Sequence, residues 1–169
     1  MIERSDFLDA EFAQHRLRYV LQCVVATGCV FAVLLALDVV ADTVSIASLG
    51  ASAFIAFAMP RRPVSQPRLM VGGYIIGVVI GCLFTAVSYL QLMPGISLHM
   101  HESILGALAV GLTVFLMVIT ESEHPPAAGL ALGLVLNGCD GSSIAAVLLG
   151  IIALALLKSV LQPVLTDLA

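Results

Sequence analysis

An all-α fold of membrane-crossing helices is what this sequence predicts. Three observations lead there. Of its 169 residues 60% are hydrophobic and only 11% charged. The mean hydropathy of +1.11 lies far above that of soluble domains. Finally, the uncharged runs come in two lengths, four of them long and two about half as long. A bilayer core of about 30 Å requires roughly 20 apolar residues of helix.

The elements follow in chain order. Residues 1–18 mix Glu3, Asp6, Asp9 and Glu11 with Arg4, Arg16 and Arg18, unlike the basic start and short apolar core of a cleaved signal peptide. They are expected to form an interfacial helix with Phe7, Leu8 and Phe12 as its apolar face. Residues 19–37 make the first long run, with Asp38 at its outer end. A short run, SIASLGASAFIAFAM at 45–59, is stopped by Pro60, and the basic loop PRRPVSQPR occupies 60–68. Two long runs, 69–100 and 103–120, flank the loop MPGISLHMHES. The second short run, PAAGLALGLVLN at 126–137, is stopped by GCDG. The last long run, 141–157, extends past Lys158 if that side chain snorkels to the interface. A tail, 166–169, closes the chain.

Charge placement orients these pieces, because lysine and arginine of short loops collect on the cytoplasmic face. If both short runs cross, all seven Lys and Arg fall on one side, and Asp42, Glu102 and Asp140 fall on the other. Six crossings with both termini inside are therefore expected. The order long, short, long then occurs twice, in 19–92 and 103–165, which suggests a 3+3 inverted repeat of the kind that places helix breaks at a transporter's binding site.

At the second break, ESEHPPAAG, a residue before proline is driven toward extended geometry, so His124 and Pro125 should precede the helix. Pro126 suits the first helical position. The N–H groups of Ala127 and Ala128 would then be free at a helix tip that favours an anion, with His124 beside them as a donor or a positive charge. At the first break, SLGASA, the Ser48 and Ser52 hydroxyls and the backbone at Gly50 and Ala51 would form the opposing half of a small cavity.

Other features have plainer readings. Gly73, Gly77 and Gly81, like Gly129 and Gly133, have the small-xxx-small spacing of close helix packing. Cys23, Cys29, Cys82 and Cys139 form no CxxC pair and are expected to be small packing residues. Glu121 and Glu123 suit a solvated loop, as does HMHE at 99–102, whose spacing is a weak metal signature. Neither a metal nor another cofactor is expected. The net charge of −4, with no basic stripe, gives no reason to expect nucleic acid.

HPPAAG at 124–129, with GASA at 50–53, QPR at 66–68 and the double glycine at 72–73, resembles the HPP family of small integral membrane proteins. The resemblance covers about residues 19–165. It implies four transmembrane helices and, from members in photosynthetic organisms linked to nitrite transport, a role in moving a small anion. Two positions depart from the family pattern. Tyr74 stands where a histidine often follows the double glycine, and Ala128 breaks the usual HPPAGA order.

The expected function is a permeation path for a small inorganic monovalent anion such as nitrite. Its site would combine His124, Pro125, Pro126, Ala127 and Ala128 with Ser48, Gly50, Ala51 and Ser52. The expected setting is a homo-oligomer in the lipid bilayer of a bacterial inner membrane. The alternatives are a non-transporting assembly or regulatory subunit, and an intramembrane enzyme using Ser52 and His124 as nucleophile and base.

Overall fold

The computed structural model describes residues 10–37, 43–90 and 95–168, with side chains in 10–14, 35–37 and 43–45 left aside. Six α-helices make up the described fold: α1 Ala10–Leu37, α2 Thr43–Ala58, α3 Pro67–Ser88, α4 Leu98–Ile119, α5 Pro126–Asn137 and α6 Gly141–Leu161, with a 3₁₀ turn at Pro63–Ser65. Stretches of α1, α3, α4 and α6 are long and apolar enough to cross a membrane. The all-α class and the four long spans are as expected. Asp38, Asp42, Phe7 and Leu8 lie outside the described residues, and the side chain of Phe12 is also left aside.

Local chemistry explains the boundaries. Gln66 is extended and Pro67 begins α3, where a missing N–H costs nothing. Gly138, at φ 98°, ends α5. The Asp140 carboxylate accepts from the Ser142 and Ser143 N–H groups at 3.0 and 2.9 Å and so caps α6. Those donors and the Ser142 and Ser143 side chains hold its carboxyl well below the usual range, the Ser142 side chain contributing most. Such a cap stabilises fully above the ordinary carboxylate pKa of 3.8. It fades as pH falls below that value toward the folded-state one. Asp140→Ala should therefore lower the melting temperature at neutral pH, and the gap from the parent should narrow as both are titrated into strong acid.

Several expectations are corrected. HMHE is not loop, since α4 starts at Leu98 with the Ser97 hydroxyl accepting from the Met100 N–H at 3.3 Å. The turn of helix this adds buries His101. The uncharged run 69–100 accordingly holds all but the first two residues of α3, a turn with Gly95 at φ 93°, and the start of α4. Helix α1 bends at His15, whose φ and ψ are −126° and 31°. Lys158 does not snorkel outward. It is 2% exposed, with the Asp167 carboxylate acting on it from the C-terminal tail.

Cys82 and Cys139 are not simple packing residues, for they form a disulfide with a Cα–Cα distance of 5.3 Å. It ties α3 to the α5–α6 connection. We expect non-reducing electrophoresis to show a compact band that dithiothreitol shifts, and no such shift in a Cys82→Ser, Cys139→Ser variant.

Gln22 of α1, the end of α2 and the C-terminal tail after α6 meet on the side of the basic loop. The Gln22 side chain donates to Phe57 O at 2.5 Å and to Thr166 O at 2.7 Å, Leu168 N–H donates to Ala58 O at 2.8 Å, and Arg61 N–H donates to Asp167 at 2.9 Å. Helix α5 runs parallel to α3. Gly73 lies against His124, Gly77 against Ala127, Gly81 against Ala131 and Leu134, and the Thr85 hydroxyl donates to Leu134 O at 2.7 Å. The short segment therefore does not turn back. Its 12 helical residues supply about 18 Å of rise, and the residues 120–124 before it complete the passage from the basic end. Helix α2, with 16 residues and about 24 Å, is likewise a continuous helix returning to that end.

Candidate functional site

Helix α3 offers α5 a face without side chains, and that face positions the break. A Cβ on Gly73 would sit 2.7 Å from the His124 Cβ, one on Gly77 2.5 Å from Ala127 O, and one on Gly81 2.9 Å from Leu134. Gly106 of α4 meets Leu132 in the same manner, at 2.6 Å. Gly133 is buried within α5, whereas a Cβ on Gly129 would meet nothing within 4 Å among the described residues. The tight glycine contacts are those of Gly73, Gly77 and Gly81 on α3 and of Gly106 on α4.

The chain arrives at this face through a tight helix end. Glu121 takes φ 49°, and Ser122 N–H donates back to Met117 O at 2.9 Å, closing α4. Glu121 and Glu123 are exposed, in keeping with a solvated loop. His124, one residue further, has no exposed surface at all.

Three fully buried polar side chains meet there. Ser52 Oγ of α2 lies 2.8 Å from His124 Nε2 and 2.8 Å from the Tyr74 hydroxyl of α3. It also lies 3.0 Å from Ser48 O, the carbonyl one turn earlier in its own helix. His124 Nδ1 is 3.4 Å from Val64 O. The Tyr74 and His124 rings are tilted by 46° with centroids 5.6 Å apart, and the Ser48 side chain also bonds to Tyr74.

Proton counting gives the cluster two self-consistent states. A carbonyl only accepts, so the Nδ1 contact requires a proton on Nδ1. With the ring neutral, Nε2 accepts from the Ser52 hydroxyl, which in turn accepts from Tyr74. With the ring protonated, Nε2 donates to Ser52 and the Ser52 proton turns to Ser48 O. Both states use the same heavy-atom positions, so a proton can enter or leave without a change of packing.

The cluster lies within the bundle rather than at its surface. Tyr74 is about 10 Å along α3 from Pro67, and Ser52 is about 9 Å along α2 from Ala58. Both measures put it about a third of the way in from the basic end.

Several expected site residues are brought together and others are not. Ser52 and His124 touch, Ser48 adjoins them, and Pro126 and Ala127 are buried at the start of α5. Ala128 is half-buried, and Pro125, Gly50 and Ala51 are exposed. Two geometric expectations fail. SLGASA is no helix start, since Ser48 and Ser52 lie inside α2 on its inward face. The tip of α5 is not free either, because Pro125 is already helical at φ −51° and ψ −37°. Ala127 N–H donates to His124 O at 2.9 Å and Ala128 N–H to Pro125 O at 3.1 Å.

Tyr74 is the site residue that sequence reasoning missed. An aromatic in an apolar run reads as core, but its place after the double glycine, where the resembling family often has histidine, was the available signal. Among the described residues, no group of three or more metal-ligating side chains occurs.

The family described as "HPP, transmembrane region" matches residues 12–167. Two transmembrane proteins of Dictyostelium discoideum are similar to this chain. One is 36% identical over 90 residues, 53% of this chain and 29% of that protein. The other is 33% identical over 91 residues, 53% of this chain and 27% of that protein. The matched stretch is thus under a third of the length of either relative. No solved structure matches the chain.

Proposed function

The chain belongs to the HPP transmembrane family, and from that premise we propose that it forms a permeation path for a small inorganic anion of the nitrite type. It is an integral membrane protein. The observation that carries the proposal is the Ser52–Tyr74–His124 cluster at a non-helical break inside the bundle. Irregular backbone at membrane depth persists where it is buried in protein or lines a cavity. Ionisable side chains there commonly mark a solute or proton pathway.

The chemistry suits an oxyanion. Tyr74 and Ser52 carry hydroxyl donors, and His124 adds a third donor once protonated. In the present arrangement these groups are spent on one another, so this is the closed state. An anion reaching the cluster would accept from Tyr74 and Ser52 in place of their mutual bond, and a proton on His124 would balance its charge. The basic loop residues Arg61, Arg62 and Arg68 favour arrival of anions at the near end.

The orientation has two supports. Lysine and arginine gather at one end, as on a cytoplasmic face. The Cys82–Cys139 disulfide lies toward the other, where an oxidising compartment would keep it intact. Both termini are then cytoplasmic, as in a bacterial inner membrane. A homo-oligomer would provide a partner for the open face at Gly129.

The Ser52–His124 distance also meets the first requirement of a nucleophile and its base. Ser52, however, is fully buried, and the N–H groups of Ala127 and Ala128, the donors an oxyanion hole would need, are engaged. Permeation therefore accounts for more of the geometry. The test is uptake into proteoliposomes of nitrite, with chloride and formate in parallel. Uptake of nitrite above that of protein-free liposomes is expected, and no uptake by a folded, oriented sample would overturn the proposal.

A further inference from the structure

At the basic end the chain carries its own anion. After α6 the backbone folds back with Leu165 buried, and the Gln22 side chain donates to Thr166 O at 2.7 Å and accepts from its N–H at 3.2 Å. Leu168 N–H then donates to Ala58 O, at the end of α2, at 2.8 Å. Neutral contacts on both sides thus fix where Asp167 goes. Its carboxylate accepts from the Arg61 N–H at 2.9 Å, and it is the charge that acts on Lys158.

A cation at Lys158 is costly. The residue is 2% exposed and continues the α6 face that carries Ile151, Leu154 and Ala155 into the same core as Phe57, Met70 and Tyr74. An apolar side chain would complete that face without the desolvation penalty. A positive charge there has a use if an anion comes to it. The position also bears on the cluster, because Arg61 is three residues before Val64, whose carbonyl lies 3.4 Å from His124 Nδ1. Asp167 therefore clamps the loop that meets His124. Lys158 is about 5 Å from the inner end of α6, against about 10 Å for Tyr74 along α3. An anion entering from the basic end reaches the level of Lys158 before that of the cluster.

We propose that Asp167 occupies an anion-binding position at the basic end, formed by the Arg61 N–H and the Lys158 ammonium, and that the permeating anion takes this position when residues 165–168 lift away. On the permeation reading, from which this follows, the position is the entry site and the segment after α6 is its lid. Nitrite and formate are bent, two-oxygen monoanions like the Asp167 carboxylate, so they compete for the same donor and the same charge. Chloride offers only the charge.

The test compares the parent with Asp167→Asn and with an Asp167→Asn, Lys158→Met double variant. Asparagine keeps a carbonyl oxygen for the Arg61 N–H and removes the competing charge. Methionine replaces a buried ion by an apolar chain, a change that is often neutral or stabilising, and the melting temperature checks that the fold survives. In proteoliposomes Asp167→Asn should lower the KM for nitrite roughly fivefold or more, the usual scale of coupling between two ligands, and the double variant should lose that gain. In detergent at constant ionic strength, nitrite and formate should raise the melting temperature of Asp167→Asn more than that of the parent. They should leave that of the double variant unchanged.

An Asp167→Asn protein with the parent's KM and the parent's melting response to anions overturns the proposal, and that comparison is decisive whether or not the double variant folds. A gain that survives Lys158→Met overturns it as well. With nitrite uptake by the parent intact, either result leaves permeation through the cluster standing. Conversely, the expected melting responses without uptake by any of the three proteins would keep the anion site and remove permeation.

Discussion

Gly77→Ala is expected to destabilise the protein at the upper end of the roughly 1–3 kcal/mol typical of overpacking. The reason is geometric. The added methyl would lie 2.5 Å from the carbonyl oxygen of Ala127, and that atom is backbone with no rotamer to change. Helix α5 would have to move away from α3, carrying the start of the short helix and His124 with it. The same methyl at Gly129 meets open space and should be neutral or stabilising, since alanine is the better helix former by about 0.5–1 kcal/mol. Melting temperatures of the two variants in one detergent check this pair. Similar values for both would show that α3 and α5 are not in the contact described.

Ser52→Ala is expected to abolish nitrite uptake and to cost about 2 kcal/mol of stability. The Ser52 oxygen is the common point of the cluster, and its loss leaves His124 Nε2 buried without its partner, a penalty of about 1–3 kcal/mol. Tyr74 suffers less because it also bonds Ser48. Tyr74→Phe removes one hydroxyl while keeping the Ser52–His124 bond, so it should fold nearly as well as the parent yet show slower uptake with a raised KM. Tyr74→His restores a donor and should recover uptake, with an altered preference among nitrite, formate and chloride. Should Tyr74→Phe and Tyr74→His match the parent in every flux, Tyr74 would have only a packing role.

The contrast between the short segments shows what a sequence reveals and what it hides. Pro126 at the first position of α5 was legible because proline restricts both itself and its predecessor. The glycine face of α3 was legible because a four-residue spacing has few uses within a membrane. SLGASA was misread as a break, since serine in an apolar run suits a helix start and a helix interior equally. In the folded chain Ser52 lies close to the carbonyl of Ser48 one turn back, so its polarity does not interrupt α2.

The errors of pairing have a different origin. Cys82 and Cys139 are 57 residues apart, and no local spacing reports a contact between α3 and the α5–α6 connection. Tyr74 carries no local sign that it will meet Ser52 and His124. Lys158 was placed at the interface by hydropathy, yet the C-terminal tail folds back, with Leu165 buried and Thr166 bonded to Gln22, and Lys158 is buried with it. The matched lengths of the segments suggested an inverted repeat. Their starts differ, α5 following a proline break and α2 being continuous through SLGASA, so opposed helix tips do not form the site.

The central claim is that the Ser52–Tyr74–His124 cluster lies on the path of the permeating anion. The most direct measurement is nitrite uptake by proteoliposomes containing equal, folded amounts of the parent and of Ser52→Ala. The account predicts uptake by the parent, competition by excess formate, and the protein-free rate for the variant. Equal uptake by the two proteins would place the path elsewhere in the bundle, and no uptake by either would remove permeation as the function.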